Sequence, residues 1–279
     1  MSELRISDAD LQALEASDVA ERWPVPGRED DKYTQGVTGI LAGSKTYPGA
    51  AILCTGAAVK THSGMVRYAG AAAAEVVWHW PEVIAASNYQ DAGRVQAWAV
   101  GPGFGTGHAE SATLRQVLKT DLPVIVDADG LTLLAKYPEL IKNREAPTVL
   151  TPHAGEFERL AGHPPGPDRI KATQELAQDL GVTVLLKGNV TVIADPGGLT
   201  YLNQAAGSWA ATAGSGDVLS GIIGALLAAA KPPAEAAAMA AFVHSRAADL
   251  AAHDPGPAPA PISASVICAH IRAAVASIL

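Results

Sequence analysis

Cysteine is scarce in this chain, and its absence from any paired pattern excludes several classes at once. Only Cys54 and Cys268 occur, with no Cys-x-x-Cys arrangement. A disulfide framework is therefore not expected, and both thiols read as small buried hydrophobes in a reducing compartment. No His-Glu-x-x-His pattern or Cys/His cluster is present, which argues against structural zinc. Aromatics make up 5% of residues and no Lys/Arg-rich block exists, so no nucleic-acid partner is expected. The longest apolar run, Gly221 to Ala230, is too short to cross a bilayer, and no membrane partner is expected. The N-terminus, "MSELRISDADLQALEASDVAERW", is charged and helical in pattern rather than a signal sequence. A cytoplasmic enzyme or binding protein is the resulting expectation.

What is present is a large apolar content: 48% of 279 residues are hydrophobic, and the net charge is −8. Short apolar runs alternate with longer helical patterns. The strand candidates are 37–43, 65–69, 97–101, 123–129, 147–151, 182–188 and 190–195. Helical stretches fall near 48–61, 108–119, 130–136, 155–161 and 168–180, then at 216–230, 233–252 and 263–278. Several strands are apolar at nearly every position, as required when helices cover both sheet faces. The pattern predicts an α/β sandwich with a largely parallel sheet. The last two strands, separated by Asn189, predict a tight hairpin and a local antiparallel edge. Residues 1–32 read as one or two short helices, and the Pro-rich 253–263 segment as an exposed connector. With no internal repeat or long linker, residues 1–279 read as one domain with an N-terminal extension.

In open α/β sheets ligands gather beyond the carboxyl ends of the strands, so the residues there carry the functional question. "GSKTYPGAA" after the first strand fails as a Walker A loop, because Ser44 stands where glycine must precede the lysine. "GPGFGTG" fails the G-x-G-x-x-G register and disfavours a Rossmann dehydrogenase. "VDADG" sets Asp127 and Asp129 two apart: a metal- or water-holding pair, or a helix start at Asp129, the safer reading. In "TPHAGEFERL", His153 and Glu156 lie three apart at a helix start and can face one cleft. Lys187 sits at the hairpin tip, where a lysine is ordinarily solvated unless the cleft holds nucleotide. In "TAGSGDVLSG", Gly214, Ser215 and Gly216 precede an apolar helix with Asp217 in its first turn. Bare amides at a helix N-terminus attract anions; equally, Asp217 can serve as a cap and the glycines as a turn.

Taken in order, "GSKTYPGAAIL", "VGPGFG", "VIVDADGLTLL", "LTPHAGEFERL", "LLKGNVTVI" and "AGSGDVLSGIIGALLA" make the chain similar to the ADP/ATP-dependent NAD(P)H-hydrate dehydratases, a ribokinase-like family. The resemblance covers about residues 35–250. It implies a three-layer α/β/α sandwich and the repair of nicotinamide rings hydrated at carbon 6. A nucleotide, typically ADP in bacterial members, phosphorylates that hydroxyl; AMP is released and phosphate then leaves to restore NADH or NADPH. By the same resemblance Asp217 would be catalytic, orienting or deprotonating the hydroxyl, and Gly214, Ser215 and Gly216 would form the anion-binding turn. Lys187, Gly188, Asn189, Val190, Thr191 and Gly216 would contact AMP or ADP. Ala50, Gly103, His153 and Asp217 would line the hydrate pocket, and Glu156 would order Mg²⁺ through water. A homotetramer and a functional link to a separate NAD(P)H-hydrate epimerase are also implied, since the chain before the first motif leaves no room for an epimerase domain. "KYTQGVTGI" departs from the family's Lys-Gly-x-x-Gly lead-in and touches the lip of the substrate pocket. A small-molecule kinase of the same fold, acting on a hydroxymethylpyrimidine, thiazole or sugar alcohol, is the alternative; a catalytically silent nucleotide-binding scaffold is another.

Overall fold

The computed structural model describes residues 11–62, 64–142 and 144–279. Apolar runs of five or fewer residues form most of the sheet. In chain order these are β1 (Leu11–Ala13), β2 (Val37–Leu41), β3 (Met65–Ala69), β4 (Ile84–Ala86) and β5 (Ala97–Val100). They continue with β6 (Val124–Val126), β7 (Thr148–Leu150), β8 (Thr183–Leu186), β9 (Val190–Ala194) and β10 (Thr200–Gln204). One ten-stranded sheet results, in the order β1-β10-β9-β8-β7-β6-β5-β2-β3-β4. All pairings are parallel except β8 with β9 and β9 with β10.

Alternation along each strand sends side chains to two separate cores. Ile125 joins one and its neighbours Val124 and Val126 the other. The first core is closed by α2 (Pro48–Thr61), α8 (Ser215–Ala228), α9 (Pro233–Ala252) and α10 (Ala264–Ala276). The second is closed by α4 (His108–Leu118), α5 (Asp129–Lys136), α6 (Ala154–Ala161) and α7 (Arg169–Leu180). This is the three-layer α/β/α sandwich expected from strands that are apolar on both faces. Cys54 and Cys268 are free and buried in the first core, where burial pushes the Cys268 thiol up to about 11. Among the described residues no helix is long and apolar enough to cross a membrane.

The structure corrects the sequence reading at both ends of the sheet. Residues 11–13 form β1, pairing parallel with β10, and only α1 (Ala16–Arg22) is helical in that stretch; the helical reading of 1–10 lies outside the described residues. The hairpin is antiparallel as expected, but it is not an edge, because β10 and β1 extend the sheet beyond it. Strands β4 and β10 and helix α3 (Ala73–His79) escape pattern reading for a physical reason. β4 is three residues of an edge strand, β10 ends in the polar pair Asn203 and Gln204, and α3 buries only Val76. Such segments carry too little periodic apolar signal to be distinguished.

Close approach of α8 to α2 sets the position of the site described below. A Cβ at Gly221 would lie 2.2 Å from the Cys54 carbonyl oxygen on α2. Gly221→Ala is therefore expected to destabilise the protein by about 3 kcal/mol, the scale of core overpacking. Chemical denaturation measures this, and a loss below about 0.5 kcal/mol would show that the two helices separate freely.

Candidate active site

The site is built where the strands β6, β7 and β8 end beneath the N-terminus of α8. Helix α8 begins after Gly214, whose φ of 84° is the left-handed conformation that glycine adopts without strain. A Cβ there would lie 2.6 Å from the Leu53 side chain of α2, so the turn is seated against that helix. The Ser215 amide donates to the Thr212 carbonyl at 3.2 Å and the Val218 amide to the Gly214 carbonyl at 3.2 Å. The amides of Gly214, Gly216 and Asp217 find no acceptor among the described residues. Of the three amides expected in the anion-binding turn, the Ser215 amide is thus already committed, and that of Asp217 is open instead. No side chain caps the helix, which removes the reading of Asp217 as its cap. Unpaired amides at the positive end of a long apolar helix are an anion site.

Asp217 is half-buried, and its carboxyl pKa is pushed up to about 7. Burial is the main cause, followed by the negative charge of Asp127; Lys187 opposes the shift. At neutral pH this group is poised between acid and base.

Beneath it lies a buried charge network. The Lys187 ammonium donates to Asp127 Oδ1 at 2.8 Å and lies 3.5 Å from Glu156 Oε2. Burial alone would pull the Lys187 pKa down, but Asp127 and Glu156 together raise it, so the lysine stays charged. Ser220, one turn along α8 from Asp217, donates its hydroxyl to Asp127 Oδ2 at 2.7 Å. Lys187 is therefore not the solvated hairpin lysine that its turn suggests: its side chain is 21% exposed. Asp127 and Asp129 do not act as a pair either. Asp129 begins α5 and turns away to accept the Gly105 amide at 2.8 Å.

His153 and Glu156 form a reciprocal cap on α6. The His153 Nδ1 accepts the Gly155 and Glu156 amides at 3.0 and 3.3 Å, and Glu156 Oε2 accepts the His153 amide at 2.8 Å. The imidazole tautomer is thereby set, leaving Nε2 3.4 Å from Glu156 Oε1. Both Glu156 oxygens already face protein donors, and no group of three ligating side chains exists among the described residues. The residues do not fit a direct metal cage; a Mg²⁺ held mainly by nucleotide phosphates and water needs none.

A cavity of about 420 Å³ adjoins these groups, lined among others by Lys187, Gly188, Asn189, Thr191, Gly216 and His244. Val190, exposed at the start of β9, lies outside its lining. His244, which sequence reading missed, is buried with its pKa pushed down to about 4, chiefly by burial. It is neutral, and its Nε2 donates to the Ser215 carbonyl at 3.0 Å, bracing the first turn of α8. A lone histidine inside the alanine-rich α9 was its only signal. Ala50 and Gly103 pack on one another: a Cβ at Gly103 would lie 2.8 Å from that of Ala50. His153 contacts Glu156, which in turn faces Lys187.

A family model described as NAD(P)H-hydrate dehydratase matches residues 38–269. The chain belongs to this family. It is 66% identical over 275 residues to a bifunctional NAD(P)H-hydrate repair enzyme of Mycobacterium leprae, covering 99% of this chain and 58% of that protein. It is 37% identical to an ADP-dependent (S)-NAD(P)H-hydrate dehydratase of Neisseria meningitidis, over 80% of this chain and 79% of that one. In three dimensions it matches the Bacillus subtilis ADP/ATP-dependent NAD(P)H-hydrate dehydratase co-crystallised with ATP/Mg²⁺, at a TM-score of 0.83 and 28% identity over 95% of this chain and 98% of that one. The chain thus spans somewhat under two thirds of the length of the mycobacterial relative.

The raised Asp217 pKa has a consequence for stability. Between the ordinary carboxyl value of 3.8 and about 7, the folded protein holds a proton there that the unfolded chain has released, so this group's contribution falls as pH rises through that window. Asp217→Asn removes the term. Its stability relative to the parent is expected to improve from pH 5 to pH 8 by about 2 kcal/mol, the scale of a burial-driven shift. Melting curves at the two pH values read this, and no change in the difference would remove the raised pKa assigned to Asp217.

Proposed function

We propose that this chain dehydrates the hydrate of NADH or NADPH at the expense of ADP, releasing AMP and phosphate. The observation that carries the reading is the juxtaposition of open amides at the end of α8 with a carboxyl poised near pH 7, beside a cavity lined by Lys187 and Gly188. Asp217 takes the proton of the carbon-6 hydroxyl, whose oxygen forms a bond to the terminal phosphorus of ADP while the bond to the AMP oxygen breaks. The amides of Gly214, Gly216 and Asp217 hold the transferring group's negative oxygens, where they act most strongly as charge develops. Lys187, fixed by Asp127 and Glu156, supplies positive charge beside the nucleotide phosphates. The ring nitrogen's lone pair then expels phosphate from carbon 6, and loss of a proton from carbon 5 restores the dihydropyridine. Glu156 would help hold a nucleotide-bound Mg²⁺ through water, and that ion would supply positive charge to the phosphates.

The relatives' names, at 66% and 37% identity, support dehydration over a kinase that retains its phosphorylated product. In this reading Ala50, Gly103 and His153 belong to the hydrate pocket. Gly188, Asn189 and Thr191 belong to the nucleotide cavity. The chain works as a homotetramer, in functional partnership with an epimerase that the bifunctional relatives' names suggest. Two buried free thiols support a reducing, cytoplasmic setting.

Incubation with hydrated NADH, ADP and Mg²⁺ is expected to restore the absorbance of the reduced nicotinamide and to yield AMP. Absence of recovery alongside phosphorylation of a vitamin precursor would favour the kinase. The rate at limiting hydrate is expected to rise with pH through about 7 as Asp217 ionises. Asp217→Asn should lose about 1,000-fold in kcat while nucleotide affinity stays within about threefold, the signature of a group acting in the transition state. Retention of full turnover in that variant would remove Asp217 from the chemistry.

A further inference from the structure

The hydrogen bonds between His244 and Ser215 leave one buried proton without an acceptor. His244 presents Nε2 at 3.0 Å from the Ser215 carbonyl oxygen and also at 3.0 Å from Ser215 Oγ. A carbonyl oxygen only accepts, so Nε2 carries a hydrogen. Burial keeps the ring neutral, with its pKa pushed down to about 4, and a neutral imidazole has one N–H. Nε2 therefore offers no lone pair to the Ser215 hydroxyl; toward Oγ it acts only as a donor. The Ser215 O–H must point elsewhere.

Among the described residues Oγ has no partner besides His244. Ser215 is only 5% exposed, and the surface it keeps lines the cavity beside Lys187. Thr191, Ser208, Thr212 and Ser245 also line that cavity, but each is at least partly exposed, so water reaches their hydroxyls. A buried donor left unmatched is costly, and here the cavity is where its acceptor has to come from. The surroundings decide what that acceptor is. The amides of Gly214, Gly216 and Asp217 stand open on either side. A Cβ at Gly216 would lie 3.6 Å from the Lys187 ammonium and equally far from Asp127 Oδ2, which Lys187 and Ser220 already engage. Donors and a cation converge on one spot, and an oxyanion satisfies them together. The amide of Ser215 is withdrawn from the turn by the Thr212 carbonyl; the hydroxyl of the same residue restores the missing donor.

We propose that the Ser215 hydroxyl donates to an oxygen of the terminal phosphate of a bound nucleoside diphosphate, and that His244 is the positioning residue that turns it there. The inference rests on the dehydratase reading above, which places the transferring group beside Asp217 and so makes the terminal phosphate the partner. The His244 hydrogen occupies a lone pair of Oγ and thereby restricts the rotation of the hydroxyl. Its proton is left facing the cavity, and a hydrogen bond to a charged phosphate is among the stronger ones available to it.

Equilibrium titration with ADP and with AMP, each with Mg²⁺ and without hydrate, reads the contact apart from turnover. Ser215→Ala is expected to weaken ADP by at least about tenfold and AMP by less than about twofold. Ser215→Thr keeps the hydroxyl and should bind ADP within about threefold of the parent. Equal losses of both nucleotides in Ser215→Ala, or a threonine variant as weak as the alanine one, would overturn the contact. His244→Phe keeps the ring's bulk and removes its N–H. In that background the further effect of Ser215→Ala on ADP should shrink to within about threefold, because the hydroxyl is no longer held. An undiminished effect would remove His244 from the positioning role. Turnover assays separate this inference from the reading it rests on. Selective loss of ADP in Ser215→Ala upholds the contact even if the parent restores no NADH, and the failure then lies in the activity. Unchanged ADP affinity in Ser215→Ala, with a parent that does dehydrate, would overturn the contact and leave the activity standing.

Discussion

The buried ammonium of Lys187 is the interaction on which the site depends. It comes from the end of β8 and holds carboxylates from the end of β6 and the start of α6, while Ser220 of α8 holds the other oxygen of Asp127. Four elements that share no local sequence are thereby fixed to one another. Charges so deeply placed persist only when paired, and removing one partner would strand the others. The same Asp127 charge, together with burial, keeps Asp217 protonated well above the usual carboxyl range. One cation thus organises a site whose chemistry calls for a base near neutrality and a positive surface for phosphate.

Small residues let the helices carry that site to the sheet. Gly221 and the alanines of α2 and α8 bring the two helices together, which brings Gly214 against Leu53 and the helix end over the strands. His244 then braces the first turn from behind. The amides left open are open because the chain around them is otherwise satisfied: Ser215 has Thr212, and α8 proceeds from Gly214 onward. A flexible loop could offer the same donors, but it would have to order them on each binding event. Here they are ordered beforehand.

The sheet was readable because both its faces are buried. Strands such as Val124–Val126 are apolar at every position, and the long helices 48–61 and 233–252 show their limits directly. The motifs at the strand ends were readable for the same reason: polar residues there interrupt apolar runs. Less legible were short or exposed elements such as β1, β4 and α3, whose residues carry no period. The hairpin is no edge because the weakly patterned β10, which directly follows β9, extends the sheet. Asp129 begins α5, the safer of its two readings. The solvated reading of Lys187 failed because its deciding neighbours lie far along the chain. Lys187 and Asp127 are 60 residues apart, and Ser220 and Asp127 are 93 apart.

By itself, then, the amino-acid order determined the layers, the parallel sheet and the loops where chemistry gathers, because periodicity and glycine placement act over a few residues. Only the tertiary structure decided which amides stay unpaired, which carboxylates meet a cation and which histidine lies behind the helix. Those outcomes depend on burial and on distances between remote segments, and a group's charge in water changes when the folded chain replaces that water with protein.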